Sequence, residues 1–328
     1  MFALLVLLAL LALLDVLLGT ARIALPEIIA HLAGTGSLSE QEIVILTRFR
    51  LPRLATALLA GAALPACGLQ MQTLFRNPLA GPYVLGISSG ASLGAALVVL
   101  GSGATGIIPG WSLALAAWAG AALVLLLLLF VSLRIRDVTT ILILGIMFSS
   151  GIAAVISIMQ YFSQATALKS FVIWSMGSLG NVTGSGLTIM TLAIVPLLAG
   201  TMLYVKVLNG LMLGEEYAVS MGIRIRVTRI IIFATTSLLA GTVTAFCGPI
   251  GFIGIAVPHV ARLLFRRSDH RILMPATVLT GMVILTLADI VSQLPGTERV
   301  LPINAVTSLM GIPVVIWLVM LNRKAQPV

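Results

Sequence analysis

Apolar positions in this chain neither recur with the spacing of a half-buried helix nor alternate as in a half-buried strand; they run together in long blocks almost free of charge. A helix that is apolar all round has no side meant for water, and crossing hydrocarbon takes about 20 such residues. Ten blocks come near that length: Phe2–Gly19, Leu54–Leu74, Tyr83–Leu100, Trp111–Leu133, Val138–Gln160, Leu187–Val205, Ile230–Phe246, Gly248–Leu264, Leu273–Gln293 and Ile303–Leu321. The pattern predicts an all-α polytopic membrane protein, ten transmembrane helices in a single transmembrane domain over residues 1–328. Only a very tight turn at Cys247-Gly248-Pro249 separates two of the blocks. Leu168–Leu179, with Trp174 and Met176 between polar ends, is too short to cross, so a re-entrant or interfacial helix is expected there. The longest polar inserts, Gly34–Arg50 and Leu208–Arg229, are small, and no low-complexity linker separates two halves.

Composition agrees: 59% hydrophobic and 9% charged residues, with a mean hydropathy of +1.16, exclude a soluble globular domain. The formal charge of +9 is dispersed singly between spans with little aromatic interleaving, which points to orientation in a membrane and away from nucleic acid. Ten spans place both termini on one side. With the termini in the cytoplasm, thirteen of the nineteen Lys and Arg fall inside, and Arg22, Arg48, Arg50, Arg53, Lys169 and Arg299 fall outside. Met1–Gly19 lacks a basic leader and reads as a retained first span rather than a cleaved signal. Cys67 and Cys247 lie inside apolar runs and read as small core residues.

Chemistry-bearing patterns are sparse. No Gly-x-x-x-x-Gly-Lys-Ser/Thr occurs, and Lys169, Lys206 and Lys324 lie outside glycine-rich loops, so energy must come from another subunit or from a gradient. Gly248–Gly254 lies in an apolar span and reads as close helix packing rather than a phosphate cradle. The three histidines are far apart, no Cys/His/carboxylate cluster has metal-ligand spacing, and no serine stands in a nucleophile turn; neither cofactor, metal nor catalytic residue is expected. A secondary transporter would need an ion-coupling carboxylate at mid-membrane, for which Asp289 is the one candidate, and Asp15, Asp289 and the His259/Arg262 pair read better as interhelical hydrogen-bonding groups.

The most informative stretch runs from Arg50-Leu51-Pro52-Arg53 through Gly61, Pro65, Cys67, Gly68, Gln70 and Gln72 to Arg76-Asn77-Pro78-Leu79-Ala80-Gly81-Pro82 and Gly86-Ile87-Ser88-Ser89-Gly90-Ala91. Small and polar residues at this density suit a helix that packs tightly or lines a passage. Together with Leu213-Gly214-Glu215-Glu216, Gly248–Gly254, Val257-Pro258-His259-Val260-Ala261-Arg262, Ser268-Asp269-His270-Arg271 and Ala288-Asp289-Ile290, in that order, the stretch closely resembles the FecCD-type permeases. These are the membrane subunits of ATP-binding-cassette importers for ferric siderophores, haem or cobalamin.

The resemblance covers nearly the whole chain from Ile23 and implies a fold like the cobalamin importer permease. It implies a homodimer in the bacterial inner membrane, two ATPase subunits beneath it and a substrate-binding protein above it, with lipid around. It implies ATPase coupling by Gly214, Glu215, Glu216, Ala218 and Gly222, where two acidic residues sit favourably at a helix N-terminus. Asn77, Pro78 and Leu79, and Asp137, Val138 and Thr139, align with cytoplasmic gates, although Asp137 departs from a small neutral residue. Arg50 matches a docking arginine, with Arg53 beside it; a second docking position holds Gln293, with Arg299 as the substitute nearby. Met147, Ser150, Met159, Gln160 and Met176 are expected along the passage, where soft, weakly polar walls let a bulky ligand slide.

Overall fold

The structure, a computed structural model, describes residues 1–18, 25–32, 36, 38–83, 85–101, 110–135, 137–182, 184–293 and 300–324. In chain order the helices are α1 (Phe2–Leu17), α2 (Leu25–Leu32), α3 (Glu40–Val44), a π-helical turn (Ile45–Arg50), α4 (Leu51–Phe75), α5 (Ile87–Val99), α6 (Gly110–Arg134) and α7 (Val138–Phe162). They continue as α8 (Ala165–Ser175), α9 (Ser185–Leu203), α10 (Val205–Met212), α11 (Glu215–Ser220), α12 (Ile225–Cys247), α13 (Ile253–Phe265), α14 (His270–Ser292) and α15 (Ile303–Lys324). Six stretches are long and apolar enough to cross a membrane, and α1, α5, α13 and α15 supply four shorter apolar ones. These ten stand at the ten blocks of the sequence. The short α8, 11 residues or about 16 Å, fills the place of the non-spanning run.

Within the polar insert Gly34–Arg50, Ser39 and Glu42 form a reciprocal capping box that starts α3, and helix runs from there through the π turn into α4. The blocks Tyr83–Leu100 and Gly248–Leu264 are not helical throughout, because α5 and α13 each have 13 residues, about 20 Å against about 30 Å of hydrocarbon. Gly86 at φ +79° and Gly248 at φ +72° take left-handed backbone that stops a helix there. Non-helical backbone at membrane depth survives only where protein supplies its partners. Here the Asn304 side chain accepts the Gly251 N–H at 2.8 Å, and the Tyr83 hydroxyl accepts that of Ile250 at 3.4 Å.

At the centre stands α4, enclosed by α9, α12, α13 and α14. The α5–α6 hairpin packs on α12, α7 lies against α5, and α1 and α15 flank α14. Lipid offers helices no hydrophobic reason to associate, so close packing of backbones must do so. The sequence of α4 provides it: a Cβ on Gly68 would lie 1.6 Å from the Gly254 carbonyl of α13, and one on Gly61 would lie 2.7 Å from the Gly281 carbonyl of α14. Pro65 also leaves the Gly61 carbonyl without its helical donor, and Gly281 packs directly against it. Gly68→Leu will therefore separate α4 from α13. Overpacking of this kind costs about 1–3 kcal/mol or more, and a lowered melting temperature in detergent checks it; an unchanged melting temperature would contradict the close crossing.

Candidate translocation and coupling elements

Beyond α9 the chain leaves the apolar spans for the two short helices α10 and α11. Gly214, at φ +116°, turns the chain between α10 and α11, and Gly222, at φ +82°, lies just past the end of α11. Glu215 and Glu216 occupy the first turn of α11, where unpaired backbone N–H groups favour negative charge. Ala218 is fully buried and anchors the helix, while Glu216, Leu213, Tyr217, Val219 and Met221 are exposed. Four large apolar side chains thus face outward on α11 and its flanks, outside the apolar spans.

Hydrogen bonds tie this segment to the helix ends around it. Asn209 of α10 donates to the Asp269 carboxylate at 2.7 Å, and its carbonyl oxygen accepts the His270 backbone N–H at 2.9 Å and faces His270 Nδ1 at 2.8 Å. The other ring nitrogen of His270 lies 2.8 Å from the Thr73 hydroxyl, near the end of α4. Asp269, the N-cap of α14, is held below the usual carboxylate range by its bonds from the Arg271 N–H and Asn209. Thus α10, α14 and α4 meet at one buried imidazole. On the next helix, Arg229 of α12 donates to Glu215 at 2.5 Å.

Immediately after α4, Asn77, Pro78 and Leu79 form a compact turn. The Asn77 side chain accepts the Leu79 N–H at 2.9 Å, the Pro78 carbonyl lies 2.7 Å from His259 Nε2, and Leu79 is exposed. Arg262, one turn beyond His259, donates to Gln72 at 2.8 Å, and Gln72 donates to the Ile255 carbonyl at 3.1 Å. The turn is thus moored to α13 on two sides. At the second turn, Asp137 is the N-cap of α7: its carboxylate accepts the Thr140 hydroxyl at 2.5 Å and the N–H groups of Thr139 and Thr140 at 3.3 and 2.8 Å. The Thr140 bonds come first in holding this carboxylate below its ordinary range. Val138 is the first residue of α7, and Thr139 is exposed. A capping role explains the acidic residue that the sequence left unexplained.

On the opposite side the arginines behave differently from one another. Arg50 is buried, its guanidinium donating to the Val16 and Leu17 carbonyls at 2.6 and 3.3 Å and so closing the C-terminus of α1. Arg53 donates to both carboxylate oxygens of Asp289, at 2.7 to 3.0 Å, and to Ser292 at 2.9 Å. Gln293 joins this group to Asp15 at 3.0 Å. Arg48 is the exposed member of the cluster, and Arg299 lies outside the described residues. Met147 and Ser150 share an exposed face of α7, and Met176 is exposed after α8. Met159 and Gln160 are half-buried, and Met159 packs into the core instead. Cys67 and Cys247 are buried and unpaired with each other, and no group of three metal-ligating side chains occurs among the described residues.

The sequence did not single out Asn209, Thr73 or Arg229. Their one signal was proximity: Asn209 and Arg229 flank the acidic helix, and Thr73 precedes the Asn77 turn. His270 lay inside a quoted motif, but its partners are 61 and 197 residues away.

Ten apolar helices, the central ones packed backbone to backbone through small residues, define a polytopic membrane protein. A profile of the FecCD transport family matches residues 5–321, and the chain belongs to that family. It is 39% identical over 287 residues to the vitamin B12 import system permease protein BtuC of Klebsiella pneumoniae, covering 87% of this chain and 85% of that one. The protein of that name from Salmonella typhi is 38% identical over 288 residues, covering 88% and 87%. Among solved structures, an inward-facing ABC transporter described as metal-chelate type superposes with a TM-score of 0.85 at 27% identity, over 97% of this chain and 98% of that one. PsaBC from Streptococcus pneumoniae shares the fold alone, with a TM-score of 0.55 at 16% identity over 82% and 90%. The chain is therefore an ABC transporter permease subunit and not an enzyme; ATP hydrolysis falls to a partner ATPase.

Proposed function

We propose that this chain forms, as a homodimer in the bacterial inner membrane with both termini in the cytoplasm, the passage of an importer for a large metal chelate. Cobalamin is the first cargo and a ferric siderophore or haem the alternatives. The observation that carries the reading is α11, an acidic helix N-terminus surrounded by exposed Leu213, Tyr217, Val219 and Met221 outside the apolar spans. Such a patch fits a cleft on each of two ATPase subunits. The identity to vitamin B12 permeases favours cobalamin. The turns at Asn77-Pro78-Leu79 and Asp137-Val138-Thr139 act as gates, and Met147, Ser150 and Met176 face the passage, with Met159 and Gln160 at its margin. The exposed apolar face of α7 meets the second copy, and lipid covers the remaining outer faces. A binding protein docks on the side of Arg48, with Arg299 as a second contact; Arg50 must first leave the α1 carbonyls, and Arg53 its bonds to Asp289, to take part.

A gradient-driven transporter is the competing reading. It needs an ionisable carboxylate at mid-membrane, whereas Asp289 lies in the last turn of α14 and is neutralised by Arg53. Vesicles holding this chain with its ATPase and binding protein, offered labelled cobalamin, a ferric siderophore and haem separately, test the cargo. Accumulation of cobalamin that excess siderophore does not suppress supports the first choice, and accumulation of siderophore alone overturns it.

A further inference from the structure

We propose that His270 is the positioning residue that joins the coupling segment to the Asn77-Pro78-Leu79 turn, so that displacement of α11 reaches that turn through α10 and the end of α4. The inference rests on the readings of α11 as the ATPase contact and of the turn as a gate, and adds the route between them. His270, the first residue of α14, is fully buried. Asn209 of α10 can present its amide to it in one way only. The Asn209 Nδ2 donates to the Asp269 carboxylate at 2.7 Å, which leaves Oδ1 to accept the His270 backbone N–H at 2.9 Å and the ring Nδ1–H at 2.8 Å. A proton on Nδ1 turns Nε2 of the neutral ring into an acceptor, and the Thr73 hydroxyl lies 2.8 Å from it. That hydroxyl also lies 2.8 Å from the Leu69 carbonyl, one turn back on α4. The imidazole therefore spans from α10 to the last turn of α4, with a partner at each nitrogen.

Two further observations make the three elements one body. Leu208 and Leu211 of α10 are buried in the same apolar cluster as Met71 and Leu74 of α4 and Leu273 and Met274 of α14. A close-packed interior is stiff and passes a displacement on. Beyond α10, Gly214 turns the chain beside Arg76: a Cβ on Gly214 would lie 3.7 Å from the Arg76 guanidinium. Arg76 ends α4 in left-handed backbone, at φ +48°, and the Asn77 N–H returns to the Gln72 carbonyl at 3.2 Å, which fastens the turn to the helix. A push on α11 thus enters α10, crosses His270 and arrives at Thr73, four residues before Asn77. Without the two ring contacts, apolar packing alone holds α10 to α4. Such packing is non-directional and sets no register, whereas a buried, fully partnered polar chain does.

The test uses the complex of this chain with its ATPase in vesicles, the ATPase facing outward, carrying Leu79→Cys as a reporter; the native Cys67 and Cys247 are buried and stay silent. The labelling rate of the reporter by an impermeant thiol reagent is read with and without ATP, alongside co-purification of the ATPase. Thr73→Val keeps the branched shape and removes the hydroxyl, and it is expected to shrink the ATP-dependent change in labelling about fivefold while the ATPase still co-purifies. Thr73→Ser keeps the hydroxyl and loses a buried methyl group, and it is expected to retain most of the response; a role in packing alone would give the reverse order. If Thr73→Val does not assemble, His270→Asn withdraws the ring from Thr73 while leaving an amide beside Asn209, and must show the same loss. A full ATP response in whichever of these assembles, or a response smaller in Thr73→Ser than in Thr73→Val, would overturn the route. Two controls examine the underlying readings. No ATP response in the reporter with Thr73 and His270 intact removes the gate, and a full response in Glu216→Arg removes α11 as the ATPase contact, each taking the route with it. A full response confined to the Thr73 and His270 variants removes the route alone.

Discussion

Glu216→Arg is expected to abolish ATP-driven uptake while leaving the permease folded. Glu216 is exposed in the first turn of α11, so the change removes no buried contact, and the melting temperature in detergent should stay within about 1 °C or so of the parent. What it reverses is the sign of charge on the face proposed to meet the ATPase, beside exposed Tyr217, Val219 and Met221. Placing a charge of the wrong sign in an interface costs several kcal/mol, and each 1.4 kcal/mol is about tenfold in affinity, so uptake should fall by roughly one to two orders of magnitude. The helix N-terminus adds to the effect, since a cation there opposes the local dipole. Cargo uptake and hydrolysis measured on the same vesicles check the result. Unchanged, coupled uptake would show that α11 is an ordinary solvated helix.

The second large effect is expected at Arg53. Arg53→Ala leaves the Asp289 carboxylate, fully buried, without its three guanidinium bonds. Asp15, also buried, stands beside it through Gln293, so two carboxyl groups would then share one low-dielectric site without the Arg53 guanidinium. Breaking a buried pair from one side costs about 3–5 kcal/mol, largely from the charge left behind. Exchanging both partners at once, as Arg53→Leu with Asp289→Leu, should cost much less, because no charge is then stranded. Thermal or denaturant unfolding of the two variants in detergent distinguishes the outcomes. A single variant as stable as the parent would mean that water reaches this site freely.

The spans were legible in the sequence because lipid imposes a uniform demand on every residue of a crossing helix, and ten blocks met it. The breaks before α5 and α13 were not, since hydropathy records which side chains are apolar and not where the backbone turns. Pro249, Ile250 and Phe252 continue an apolar run even though Gly248 at φ +72° and Phe252 at φ +64° have left the helix. Conversely, the polar composition of Glu40–Arg50 hid a helix started by a capping box and carried on into α4.

Site residues divide the same way. Gly214, Glu215 and Gly222 were readable from local rules for helix ends, and the structure places them at the ends of α11. Direction was not readable. Arg50 and Arg53 lie three residues apart in one basic cluster, yet one guanidinium closes α1 and the other neutralises a buried carboxylate. Both partners are remote in sequence, at separations of 34 and 236, where no local pattern reaches. The Asn209–His270–Thr73 junction was hidden for the same reason.

A partner ATPase, and not an ion gradient, is expected to drive cargo through this chain. The most direct test is accumulation of labelled cobalamin in vesicles containing permease, ATPase and binding protein, with proton and sodium gradients collapsed by ionophores. Accumulation on adding ATP, lost when the ATPase is left out, is the predicted result. Accumulation that needs a gradient, proceeds without ATP and disappears in Asp289→Asn would contradict the account.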